Sequence, residues 1–183
     1  TDTIVRDNRA GGEGAAVALG GGIDADDGSF LNLIRSSVTG NTVSARGRAV
    51  GGGIGSDGSK GVVIRESSVT GNVASGGTGA GAGIGAAADG PLTIENSVIS
   101  DNTTTGAGIL GAGIFWASVE DVRIDGSNIS GNHSEATVIA GGSGVVALVS
   151  GDDATIRITD TTVSNNIVKA PLGATGAGLV LGG

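Results

Sequence analysis

The sequence predicts an all-β fold, a right-handed parallel β-helix or solenoid of about five to six coils with three short strands in each. Three observations predict it. A turn of the form apolar-x-x-Asn recurs six times, at spacings of 33, 31, 30, 30 and 34 residues. A Gly-x-Gly-apolar segment and an apolar-x-apolar pair recur with it, always in the same order. Within each landmark, apolar residues alternate with a period of two, and no i, i+3, i+4 run interrupts them.

The Gly-x-Gly-apolar landmark reads Gly20-Gly21-Gly22-Ile23, then Gly51-Gly52-Gly53-Ile54, then Gly81-Ala82-Gly83-Ile84. It continues as Gly111-Ala112-Gly113-Ile114, Gly142-Ser143-Gly144-Val145 and Gly176-Ala177-Gly178-Leu179. Read as a strand, parity with the apolar residue turns Val50, Gly52 and Ile54 inward and leaves both landmark glycines of every coil outward. That gives a flat glycine face suited to close lateral packing of neighbouring chains.

The apolar pair follows as Leu31/Leu33, Val62/Ile64, Leu92/Ile94, Val122/Ile124 and Ile156/Ile158, its first member 10 residues before the Asn in each case. The Asn turns are Val5-Arg6-Asp7-Asn8, Val38-Thr39-Gly40-Asn41, Val69-Thr70-Gly71-Asn72, Ile99-Ser100-Asp101-Asn102, Ile129-Ser130-Gly131-Asn132 and Val163-Ser164-Asn165-Asn166. Between each Asn and the next landmark isoleucine, valine or leucine the distance varies from 12 to 15 residues, so this stretch reads as a loop.

Two-residue Asn-Gly or Asp-Gly hairpin loops do not separate these strands, whereas pairing of equivalent strands in successive repeats stacks each coil about 4.8 Å above the last. Right-handed winding follows from the twist sterics of β-crossover-β connections. The Asn column is expected to be structural: an Asn tolerates the left-handed backbone of a tight corner, and stacked amides can hydrogen-bond each to the next. An inward Asn102 or Asn132 also removes two of the three apparent glycosylation acceptors, the third being at Asn128.

Composition supports one repeat domain over residues 1–183. The chain has 38 Gly and 2 Pro without glycine at every third position, which excludes collagen, and its periodic Val, Ile and Leu argue against disorder. A net charge of −8 and only two lysines, Lys60 and Lys169, disfavour nucleic acid as a partner. No cysteine is present, so disulfides and thiolate metal sites are excluded. No stretch reaches the roughly 20 apolar residues of a membrane helix. Because the repeats run from the third landmark near Thr1 to a first landmark near Gly183, the chain reads as a fragment of a longer β-helix. The alternative is a unit that joins end to end with its own copies.

The Gly-Gly-apolar segment followed by apolar-x-x-Asn resembles the repeat of the polymorphic outer-membrane proteins, with Val or Ile where that repeat has Phe. The resemblance covers nearly the whole chain. It implies a pectin-lyase-like β-helix on a bacterial surface or secreted, as in autotransporter passengers.

Five features bear on chemistry. Asp24, Asp26, Asp27, Asp57, Asp89, Glu120, Asp121, Asp152 and Asp153 fall between the first and second landmarks, where a carboxylate column could hold calcium. Asp27-Gly28, Asp57-Gly58 and Asp89-Gly90 are equally turn signals, and no other cofactor is implied. Gly151-Asp152-Asp153 is similar to the paired carboxylates of glycoside hydrolases. Phe115 and Trp116, the only adjacent aromatics, could stack on a sugar ring or fill a corner. His133 reads as solvated, and Thr93 has no Thr-x-Thr partners in register. The expectation is a non-enzymatic extracellular structural or adhesive β-helix whose partners are itself, other surface proteins or glycans. The alternative is a polysaccharide-binding or polysaccharide-cleaving protein using Phe115, Trp116, Asp152 and Asp153.

Overall fold

The computed structural model describes residues 1–12, 14–87 and 90–183. Among them every regular element is a strand, and all sheets are parallel, stacked as a β-solenoid of about six turns. Asp89, one of the acidic residues named above, lies outside the described residues.

Four sheets, rather than three, wrap the core. Sheet one holds Ile23–Asp26, Ile54–Asp57, Ile84–Ala87, Ile114–Ser118, Val145–Val149 and Leu179–Gly182. Sheet two holds Phe30–Ile34, Gly61–Arg65, Leu92–Glu95, Val122–Asp125 and Ile156–Thr159. Sheet three holds Ile4–Arg6, Ser37–Thr39, Ser68–Thr70, Val98–Ser100, Asn128–Ser130 and Thr162–Ser164. The three landmarks supply these. Sheet four is the stretch that the sequence presents as a loop, with Arg9–Gly12, Thr42–Ala45, Val73–Ala80, Thr103–Leu110, His133–Gly141 and Ile167–Lys169 along its length. Its strands escape the alternation test because their inward residues are small: Ala74, Thr104 and Ser134 are each fully buried.

Equal residues stack. Val5 pairs in register with Val38, Val38 with Val69, Val69 with Ile99, and Ile99 with Ile129. Val62, Ile64, Leu92 and Ile94 form the matching columns of sheet two, all fully buried. Each such side chain contributes about 1.5–3 kcal/mol relative to exposure. Trp116 fits into this narrow interior because its neighbours above and below in the column are alanines, Ala86 and Ala147.

Corners are left-handed, and three columns of residues provide them. Gly20, Gly51, Gly81, Gly111, Gly142 and Gly176 have φ of 50–68° and turn the chain from sheet four into sheet one. Arg35, Glu66, Asn96, Gly126 and Asp160 do so between sheets two and three, and Gly40, Gly71, Asp101, Gly131 and Asn165 between sheets three and four. The third column corrects the sequence reading: the residue before each ladder Asn adopts the left-handed conformation, and the Asn itself does not. Non-glycine residues such as Glu66 hold it at a cost of about 1–2 kcal/mol.

Candidate functional site

The Asn residues form a continuous hydrogen-bonded column inside the solenoid. Asn72 donates its backbone N–H and its side-chain Nδ2 to Asn102 Oδ1, both at 3.0 Å, and Nδ2 also donates to the Val38 carbonyl at 3.0 Å. The same set links Asn41 to Asn72, Asn102 to Asn132 and Asn132 to Asn166. Asn8 donates to Asn41 at the first corner. Asn41, Asn72, Asn102 and Asn132 are fully buried, so each amide is balanced by bonds rather than by water.

A second ladder, absent from the three sequence landmarks, runs at the other polar corner. Ser36, Ser67 and Ser97 each donate their backbone N–H to the hydroxyl one coil on, that of Ser67, Ser97 and Ser127 respectively, at 3.0–3.1 Å. Ser127 continues the ladder to Thr161 at 3.2 Å. Each hydroxyl in turn donates to the carbonyl two residues earlier, as Ser67 does to Arg65 at 2.7 Å. The signal is legible: a Ser or Thr stands five residues before every ladder Asn.

The glycine face is not where parity places it. Gly51, Gly53, Gly81, Gly83, Gly111, Gly113, Gly142 and Gly144 are buried at the corner between sheets four and one, while Gly20, Gly22, Gly176 and Gly178 in the end coils are partly open. The first glycine of each pair makes the left-handed turn. The second faces the Asn ladder: a Cβ on Gly113 would lie 2.5 Å from the Gly144 carbonyl oxygen and 2.9 Å from the Asn132 amide nitrogen. The eight buried glycines are small because their own corner, the next coil or the ladder leaves no room for a Cβ, so they offer no bare outer surface to a second chain.

Phe115, Trp116, Asp152 and Asp153 do not come together. Adjacent on one strand, Trp116 points inward and is fully buried, with its indole N–H unpartnered, while Phe115 points outward into a groove between sheets four and one. Asp152 and Asp153 are exposed in the connection beyond Val149, at the opposite end of sheet one from that corner. Trp116 is therefore no ligand contact.

The other acidic residues are likewise dispersed. Asp24 and Asp26 lie on the strand Ile23–Asp26 rather than in a loop, and Asp26 is in register with Asp57. Although Asp24 is exposed, partial desolvation of its carboxyl, and then repulsion from Asp26 and Asp57, holds it above its usual range. Asp121 accepts from the Thr155 N–H at 2.7 Å and its hydroxyl at 2.9 Å, which lowers its carboxyl. Gly28 and Gly58 have φ of 71° and 73°, as Asp-Gly turns require. Among the described residues, no three acidic or histidine side chains converge as a metal site would need. His133 is half-buried on the outer side of sheet four, 3.5 Å from Glu135. Comparison with known protein families, curated proteins and solved structures found no match for the chain.

Outer faces differ in character. Sheet two carries ion pairs, Arg65 with Glu95 at 2.7 Å and Arg123 with Asp125 at 3.3 Å. Sheet three is uncharged over five coils, with outward pairs Ser37/Thr39, Ser68/Thr70, Val98/Ser100, Asn128/Ser130 and Thr162/Ser164 in register. Ser68 meets Ser37, and Thr70 meets Thr39, hydroxyl to hydroxyl at 3.2 Å.

Proposed function

We propose that the chain is a non-enzymatic extracellular β-helix with a structural or adhesive role, a rod that presents its outer faces to copies of itself, to other surface proteins or to glycans. Its likeness to the repeats of polymorphic outer-membrane proteins belongs to this proposal, as does placement on a bacterial surface. The observation that carries it is the outer face of sheet three. Two ranks of half-exposed, uncharged and mostly hydroxyl side chains repeat at the coil spacing of about 4.8 Å. Such a face can hydrogen-bond a regular polar partner at many points at once, so that weak contacts add. The carboxylates and aromatics a polysaccharide-cleaving reading would use are spread over separate parts of the solenoid, and Trp116 is inside it.

A glycan array, read together with a polysaccharide-depolymerisation assay, tests the proposal. Binding that falls at least tenfold in the triple variant Thr39→Lys, Thr70→Lys, Ser100→Lys, with melting unchanged, is the expected result. Cleavage of an acidic polysaccharide that disappears in Asp152→Ala would overturn it.

A further inference from the structure

We propose that the outer corner between sheets four and one is a binding site for a small amphiphile, a free molecule with an apolar body and an anionic head such as a medium-chain carboxylate. The site does not depend on the sheet-three face, so the two proposals stand or fall separately.

A groove of about 550 Å³ runs along this corner. Its volume lies in the range of small-molecule sites, and such sites are mostly apolar with a few placed polar groups. Leu110, Phe115 and Ile139 make its walls, and the backbones of Gly79, Gly108 and Gly141 form much of its floor. Leu110 and Ile139 are 40% and 56% exposed, which puts apolar side chains together on an outer face where ordinary solvation would favour polar ones.

The hollow has an identifiable origin. Along the outward column, Arg48 is followed by Thr78, then Gly108, then Ile139, one per coil. Gly108 has no side chain, and a Cβ built there would meet nothing within 4 Å. The strand His133–Gly141 has one residue more than its neighbour Thr103–Leu110, and the register shifts between Gly106 and Gly108. That bulge sets Ile139 beside the gap as a wall at the far end.

Charge selects the head group. Among the described residues, Arg48 is the only charged one lining the groove, and no described carboxylate lies within ion-pair distance of it. Thr78 and Thr175 are the only hydroxyls there among the described residues, too few to replace the water around a sugar. From Arg48 to Ile139 is three coil steps, about 14 Å at the strand spacing, which a ten-carbon chain nearly spans. A guanidinium at one end of an apolar trough thus fits a carboxylate followed by a hydrocarbon tail.

The test is a titration of the full chain with decanoate and, in parallel, with uncharged decanol, followed by amide chemical shifts. Saturable decanoate binding is expected, with shifts concentrated at residues 78–80, 108–110 and 139–141. Arg48→Gln should weaken decanoate about tenfold and leave decanol within about twofold, since only one ligand carries the charge. Gly108→Leu should abolish both, by filling the hollow. Should Gly108→Leu fail to fold, the shift map and Arg48→Gln still decide. Absent or scattered shifts, equal loss of both ligands in Arg48→Gln, undiminished binding in a folded Gly108→Leu, or a dimer that occupies the groove and dissociates in Gly108→Leu would each overturn the proposal.

Discussion

Replacing Asn102 with Ala tests how much of the fold's stability rests on the ladder. The side chain makes four bonds in a fully buried setting. Oδ1 accepts from the Asn72 N–H and from Asn72 Nδ2, while Nδ2 donates to the Val69 carbonyl and to Asn132 Oδ1. After truncation, Asn72 Nδ2 keeps the Val38 carbonyl and Asn132 Oδ1 keeps the Asn102 N–H. The Asn72 N–H and the Val69 carbonyl lose the bonds they made to this side chain. An orphaned buried polar group costs about 1–3 kcal/mol, so two of them give a central expectation of about 4 kcal/mol. For a chain of this size that lowers Tm by roughly 8–16 °C. Asn8→Ala is the internal control: Asn8 is exposed and only donates to Asn41, so its loss should cost less than about 1 kcal/mol. Thermal unfolding followed by circular dichroism measures both. An Asn102→Ala transition within 2 °C of the parent, as an order-of-magnitude bound on the same scale, would refute the bookkeeping, as would an Asn8→Ala penalty of equal size.

Two further outcomes follow. Gly113→Ala should destabilise by about 1–3 kcal/mol, because its Cβ would press on the Gly144 carbonyl, whereas Gly108→Ala, with open space around it, should stay within about 0.5 kcal/mol; denaturant titration of the pair checks this, and equal effects would argue against it. Asp24→Asn should stabilise at neutral pH: the Asp24 pKa is raised above 3.8 by partial desolvation, so the folded state binds the extra proton, and stability is lost as pH rises through the folded value. The Tm advantage of Asn should therefore vanish below about the unfolded carboxylate value, and an advantage that persists there would assign it to packing.

The columns of Ile64, Val69 and Ile99 were legible because alternation of large apolar residues with polar ones is a direct record of which face is buried. Sheet four was not, since Ala74, Thr104 and Ser134 bury as completely without looking apolar. Strand parity does not carry through a corner: Gly51 at φ 68° ends the alternation, so the phase of Gly53 says nothing about its direction. Phe115 and Trp116 look like one feature in the sequence for a related reason. Neighbours on a strand face opposite ways, and which one enters the core depends on where the corner ends. The ladder Asn stands out in the sequence, yet the left-handed residue is its predecessor, and Gly40, Asp101 and Asn165 are the types that tolerate that conformation. No sequence signal announces the groove, which depends on a bulge and on which coils come into register.

Inward columns vary only where neighbours compensate, as Ala86 and Ala147 do for Trp116, because each residue is packed against its own equivalent, whereas outward columns vary more freely. The column one position after the landmark isoleucines shows this best. It reads Gly55, Gly85, Phe115 and Val146 in successive coils. At Gly85 a Cβ would meet Val50 Cγ1 at 2.6 Å and the Ala80 carbonyl at 2.7 Å, so the corner is closed there to any side chain. One coil on, a phenyl ring occupies the equivalent position. Between these coils the partner across the corner changes from buried Ala80 to half-exposed Leu110, and the groove lies where the corner opens. The repeat sets a uniform scaffold, and outward changes at one corner, Phe115 for Gly85 and Leu110 for Ala80 beside the bare Gly108 and the bulge before Ile139, convert a sealed seam into a lined groove while the Asn ladder runs on unbroken. That places any acquired binding capacity of this solenoid in its outward columns, and makes Gly108, Leu110 and Phe115 the positions at which substitution should alter binding while leaving the ladders untouched.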